Sequence, residues 1–125
     1  MIGLALLASL GGAGWWLWTP DAERAALEAR YAAPPSSFVT LEGVRLHVRD
    51  TGPRDGPPVL LLHGFGSSLH TWDQWAALLE ADRRVIRLDL PGFGLTGADP
   101  TGDYSDLRAV ALLEVSGATN VITGC

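Results

Sequence analysis

Lysine is missing from this chain: all nine basic residues are arginine, and no basic cluster forms beyond Arg83-Arg84. With a formal net charge of -5, the sequence lacks the basic patch or stripe that binding to nucleic acid demands. Cysteine is nearly missing too. The lone thiol, Cys125, excludes an internal disulfide and offers no ligand spacing for a metal, so neither a metal nor a cofactor is implied. Length is the third shortage. A chain of 125 residues holds one small domain, and because its two ends differ in composition from its middle, about 75 to 95 residues are left for a sheet.

Charge is absent from residues 2–18. In helical geometry this stretch is about 25 Å long, slightly short of a full hydrocarbon core. Trp15, Trp16 and Trp18 gather at its end, where amphipathic rings favour the membrane interface, and Pro20-Asp21 comes next. The pattern predicts a transmembrane anchor over residues 1–19 and hence a single-pass membrane protein. The alternatives are a cleaved signal, which would send the rest to the periplasm or outside the cell, and a buried soluble helix. A signal would show a basic leader and a small-residue cleavage site, and neither is clear here. Residues 20–37 read as a short polar juxtamembrane helix opened by Pro20 and Asp21 and closed by a Pro34-Pro35-Ser-Ser linker.

The third unit, residues 38–125, carries the sheet signals. Phe38-Val-Thr-Leu41 and Val44-Arg-Leu-His-Val48 flank Glu42-Gly43 and read as a hairpin. His47 falls on the polar side of that alternation with Arg45 and Arg49, the place of an exposed strand histidine. Pro58-Val-Leu-Leu-Leu62 is a short apolar run bounded by turn residues, which suits a strand covered on both faces. A helix is expected over residues 72–80, capped by Thr71, with Trp75, Leu78 and Leu79 turned to the sheet and both Trp72 and Trp75 packed in the core. Arg84-Val-Ile-Arg-Leu-Asp-Leu90 is the next strand, parallel to its predecessor through a right-handed crossover. A last helix over residues 104–113 would turn Leu107, Val110 and Ala111 inward, and Asn120-Val-Ile-Thr123 reads as a weak strand.

The chemistry-bearing stretch is His63-Gly-Phe-Gly66, directly after the apolar strand. Gly64 and Gly66 allow backbone angles closed to other residues and leave amide groups facing a ligand. Three readings are open. Phe65 N–H could stabilise a developing negative oxygen in acyl transfer, as one donor of an oxyanion hole. Alternatively, Gly64-Phe-Gly66-Ser-Ser-Leu69, with Asp89 at the end of the next strand, is a damaged dinucleotide fingerprint, although Leu69 stands where a small residue belongs. The third reading is a plain strand-to-helix turn.

Together, His63-Gly-Phe-Gly66 and Asp89-Leu-Pro-Gly-Phe-Gly94, with Trp72 between them, resemble the front half of the α/β-hydrolase family. The resemblance covers roughly residues 38–113. It implies an α/β fold, in which an N-terminal hairpin is followed by parallel strands with crossover helices. It also implies hydrolysis of an ester or related bond in a small-molecule substrate. Phe65, between Gly64 and Gly66, would be the oxyanion donor. His63, Asp89, Pro91, Gly92 and Gly94 would be structural, His63 beside the turn and Asp89 fastening the turn at residues 91–94. The family's domain is more than twice this long, so residues 38–125 would be a truncated one.

The family pattern then requires a nucleophile elbow, Gly-x-Ser-x-Gly, and no such sequence occurs in the chain. The nearest lookalike, Gly66-Ser67-Ser68-Leu69-His70, lies past the strand end. Nucleophile, acid and base are therefore all missing, and this polypeptide alone is expected to be inactive. Two branches are disfavoured by single residues: haloalkane dehalogenases commonly place asparagine where Phe65 stands, and epoxide hydrolases often place proline where Gly66 stands. The competing functions are a membrane-tethered, non-catalytic interaction module and, further off, a dinucleotide-binding fold.

Overall fold

The computed structural model describes residues 2–18 and 20–115; the weak strand expected at residues 120–123, and Cys125, lie outside them. The described elements run α1 (Ile2–Leu17), α2 (Arg24–Tyr31), β1 (Ser36–Leu41), β2 (Val44–Thr51), β3 (Pro58–Leu62), a 3-10 turn at Leu69–Trp72, α3 (Asp73–Leu79), β4 (Arg84–Leu88) and α4 (Asp106–Val115). The four strands form one mixed sheet in the order β1-β2-β4-β3. Glu42 and Gly43 both take positive φ, 46° and 83°, the turn geometry whose twist matches a hairpin. The hairpin then pairs β1 with β2 from Ser36↔Arg49 to Leu41↔Val44. β2 also runs antiparallel to β4, and β3 runs parallel to β4 with Leu62 opposite Leu88.

The doubly covered strand is β4, in which every residue is buried, and not β3, which is only half-buried. β4 is paired on both sides, whereas β3 has no neighbour on its outer edge among the described residues. One face of the sheet carries the apolar core of Val44, Leu46, Val48, Ile86 and Leu88, closed by Leu112 of α4. Arg84 and Arg87 are buried in β4 because each finds a carboxylate: Arg84 pairs with Asp50 at 2.6 Å, and Arg87 with Asp73.

The opposite face is roofed by α2, the 3-10 turn and α3, which overturns the exposed place expected for His47. This residue is fully buried. The period-two alternation places it correctly beside Arg45 and Arg49, but α2 lies over that side and docks through ions rather than an apolar stripe. Arg45 grips Glu28 through two bonds of 2.6 and 3.2 Å, and Arg24 donates to the Leu95 carbonyl at 3.0 Å.

Both later helices also turn differently from the expectation. On α3 and the 3-10 turn before it, the buried residues are Leu69 and Ala76, while Trp75 and Leu78 are exposed. Thr71 does not cap this helix; its hydroxyl pairs with that of Ser67. On α4, Leu107 and Val110 are exposed and Leu112 is buried. Arg108 sets this rotation, since it reaches inward to Asp99 and to Glu42 of the hairpin turn, and Leu112 lies four residues on, on the same face.

The transmembrane span is likewise corrected. α1 forms over Ile2–Leu17, but its 16 residues make about 24 Å, against the ~30 Å of a hydrocarbon core. Among the described residues no helix is long and apolar enough to cross a membrane.

Candidate active site

β3 ends at Leu62, and the chain turns sharply at Phe65-Gly66, where Gly66 has φ +68°. His63, 4% exposed, holds the root of the turn with both ring nitrogens. Nδ1 donates to the Gly64 carbonyl at 2.8 Å, and Nε2 accepts the Leu90 N–H at 3.0 Å. These two bonds fix the tautomer and leave His63 no free nitrogen for proton transfer.

Above the root the turn is open. A Cβ added at Gly64 or Gly66 would meet no heavy atom within 4 Å. The Phe65 side chain is 97% exposed and leans edge-on against Phe93, ring centres 5.7 Å apart. Phe65 N–H has no hydrogen-bond partner among the described residues. A cavity of about 350 Å³ adjoins the turn, walled by Phe65, Leu90, Pro91, Phe93 and Tyr104 and edged by the polar start of α4. An amide donor at an apolar cavity is the arrangement that stabilises a developing oxyanion. Ser105 also lines the cavity, but its oxygen accepts the Arg108 N–H at 3.2 Å, and His63 is already engaged. Among the described residues that line it, no histidine has a free ring nitrogen to serve as base to Ser105.

The second glycine turn, residues 91–94, is closed. Asp89 is 1% exposed; its Oδ2 accepts from Leu95 N–H and from His47 Nδ1, each at 2.8 Å, and its Oδ1 accepts from Leu69 N–H at 2.6 Å. Burial pushes this carboxyl up, but the His47 ring and the two amides outweigh it and hold the pKa below the usual value. Gly94, at φ +51°, sits so close that a Cβ would collide with the Asp89 carboxylate. Pro91 and Gly92 complete the turn, which is tied by Gly92 N–H to the Gly97 carbonyl at 3.1 Å. A carboxylate saturated in this way is not available to a ribose, which removes the anchor of the dinucleotide reading.

His70 and Ser68 lie apart from the open turn. They line a second cavity of about 350 Å³ under α2 with Leu27 and Tyr31, and His70 Nδ1 is 3.1 Å from Asp73 Oδ2. Ser68 has extended backbone, φ -150° and ψ 172°, unlike the strained turn of a nucleophile elbow. His47 is the residue that reading the sequence misses. Its ring joins Asp89 to Ser36 Oγ, 2.8 Å away, and so links the hairpin to both loops beneath the site.

Comparison with known proteins agrees with this geometry. Residues 57–118 match the family described as alpha/beta hydrolase fold. The crystal structure of the Cif epoxide hydrolase from Acinetobacter nosocomialis superposes with a TM-score of 0.66 at 31% identity, covering 86% of this chain and 37% of that one. A dihydrolipoyllysine-residue acetyltransferase component of the acetoin cleaving system of Pseudomonas putida is 39% identical over 92 residues, 73% of this chain and 24% of its own length. A haloalkane dehalogenase of Psychrobacter cryohalolentis is 50% identical over 52 residues, 41% of this chain and 17% of its own. The chain therefore spans a quarter or less of these two curated relatives. What it carries, centred on residues 57–118, is part of an alpha/beta hydrolase fold.

Proposed function

We propose that this chain is the front part of an alpha/beta hydrolase that cleaves an ester or a related bond, and that it contributes one oxyanion donor, the Phe65 N–H. The observation that carries the proposal is the unpartnered Phe65 amide, held at an open turn beside an apolar cavity by a fully engaged His63. The nucleophile, its acid and its base would come from sequence beyond these 125 residues. The bare outer edge of β3 is where the remaining sheet would add, since unpaired strand edges seek a partner. Relatives named for epoxide and haloalkane chemistry are similar in sequence, but Phe65 and Gly66 depart from the residues those branches commonly use, so ester chemistry is the reading kept.

The test is to extend the coding sequence. DNA downstream, read in three frames, should encode Gly-x-Ser-x-Gly within about 30 codons, followed by an acid and then a histidine. The extended protein should cleave a simple activated ester and be blocked by a serine-directed phosphonate, while the 125-residue chain should do neither. No elbow in any frame, together with a folded and inert chain, would favour the non-catalytic interaction module.

For location, the proposal is membrane attachment through α1. Trp15, Trp16 and Trp18 are 85, 83 and 76% exposed, and such rings partition to the lipid–water boundary. The full chain should float with phosphatidylcholine vesicles, and a variant lacking residues 2–18 should not. Equal flotation of both would end this reading.

A further inference from the structure

The cavity beside Phe65 carries more than a position for an oxygen, and its use as a substrate pocket rests on the hydrolase function proposed for the chain. The apolar part of its lining is built from Leu90, Phe93, Tyr104 and Phe65 itself. Its charged lining is uneven. Asp103 and Asp106 line it with no cationic partner within ion-pair distance among the described residues, and Asp103 accepts the Ser105 N–H at 2.9 Å. That bond and the Ser105 hydroxyl hold the Asp103 carboxyl below its usual pKa, so it is ionised at neutral pH.

The cation on the lining, Arg108, is not offered to a ligand. Its Nε donates to Asp99 at 2.8 Å and its Nη1 to Glu42 at 2.5 Å, and its side chain is 15% exposed. Arg108 is thus held by two carboxylates, while two further carboxylates on the lining have no ion-pair partner among the described residues. A ligand entering here meets apolar side chains, one amide donor and two carboxylates without an ion-pair partner among the described residues.

We infer that the cavity receives an uncharged aromatic or alkyl acyl group with its carbonyl oxygen on the Phe65 N–H, and that Asp103 and Asp106 exclude acyl groups bearing a carboxylate. Apolar walls with a few placed polar groups are the general form of a small-molecule site. Like charges brought together at such a site set specificity by repulsion rather than by attraction.

Three probes of similar shape separate the parts of this claim in the 125-residue chain: acetophenone, ethylbenzene and 4-acetylbenzoate. The readout is the Phe65 amide cross-peak in nitrogen-15 spectra, with saturation transfer to the probe giving the same ranking if the chain self-associates. Acetophenone should move the Phe65 amide and ethylbenzene should not. 4-Acetylbenzoate should bind at least about tenfold more weakly, the cost of placing like charges side by side. The double variant Asp103→Asn, Asp106→Asn should bring it to within about threefold of acetophenone by removing that repulsion. If 4-acetylbenzoate binds the unaltered chain as tightly as acetophenone, the exclusion claim is overturned while the donor role of Phe65 stands. If acetophenone leaves the Phe65 amide unmoved, the donor role falls, and the inference with it.

Discussion

The chain builds two glycine turns at the ends of neighbouring parallel strands, and they are made in opposite ways. The turn after β4 is packed onto a buried carboxylate: Gly94 has no side chain because Asp89 occupies that space. The turn after β3 is packed onto nothing: Gly64 and Gly66 face open space, and the amide between them is unpaired among the described residues. Glycine at residue 94 is a steric requirement of the fold, whereas glycine at residue 64 leaves room for something outside the chain. The sequence patterns of the two turns are nearly the same, Gly-Phe-Gly in each case, so the difference lies in what surrounds them.

Removing the support of the closed turn should have the largest effect. His47→Ala takes a hydrogen-bond partner from the buried Asp89 carboxylate and leaves a cavity where the ring stood; an unmet buried acceptor alone costs about 1–3 kcal/mol and the lost ring adds to it, which would be read as a lowered urea midpoint. Gly94→Ala comes next. The left-handed backbone alone costs about 1–2 kcal/mol, and the overlap with Asp89 adds to it, so the variant should melt well below the parent. Gly66→Ala, with the same sign of φ but no neighbour to strike, should lose only that backbone cost of about 1–2 kcal/mol. Gly64→Ala, with neither strain nor contact, should stay within about 0.5 kcal/mol of the parent. Equal losses at residues 64 and 94 would erase the distinction between the turns.

A pH series probes the carboxylates that hold the fold, several of which have lowered pKa. Arg108 and then Thr101 bring Asp99 down to about 2, and Asp89 is lowered as well. A carboxyl whose pKa falls on folding binds more protons when unfolded. Its stabilisation is therefore present above the unfolded value of about 3.9 and is lost as pH falls through the folded value. The melting temperature of the chain should be level from neutral pH down to about 4 and then drop toward pH 2. Asp99→Asn should flatten part of that drop.

Much of this arrangement is legible in the residues themselves. The strand Pro58–Leu62, the hairpin, the crossover to the strand starting at Arg84 and both glycine turns arise from apolar runs and turn chemistry that act locally, although that last strand stops at Leu88, two residues short of the expected Leu90, where Asp89 turns into the loop. Two of the departures share a physical source, which is docking through charge. α2 has no apolar stripe, so nothing in its pattern announces that Glu28 will bind Arg45 and bury His47 beneath it. The inward face of α4 escapes its pattern in the same way, because Arg108, a residue that ordinarily faces water, is the one drawn in by Asp99 and Glu42. β3 looks central by composition, yet among the described residues only β4 pairs with it, so it is left half-buried.

In the chemistry proposed for this chain, the working group is the Phe65 N–H and not the Phe65 side chain. Phe65 precedes a glycine at positive φ, the place proline commonly takes in such turns, and Phe65→Pro removes the N–H. In the extended hydrolase, kcat for an activated ester should fall about 10²–10³-fold in Phe65→Pro, while Phe65→Ala, which keeps the N–H, should stay within about threefold and both variants should keep the parent's melting temperature. A Phe65→Pro enzyme that turns over at the parent's rate would refute the donor role of this amide.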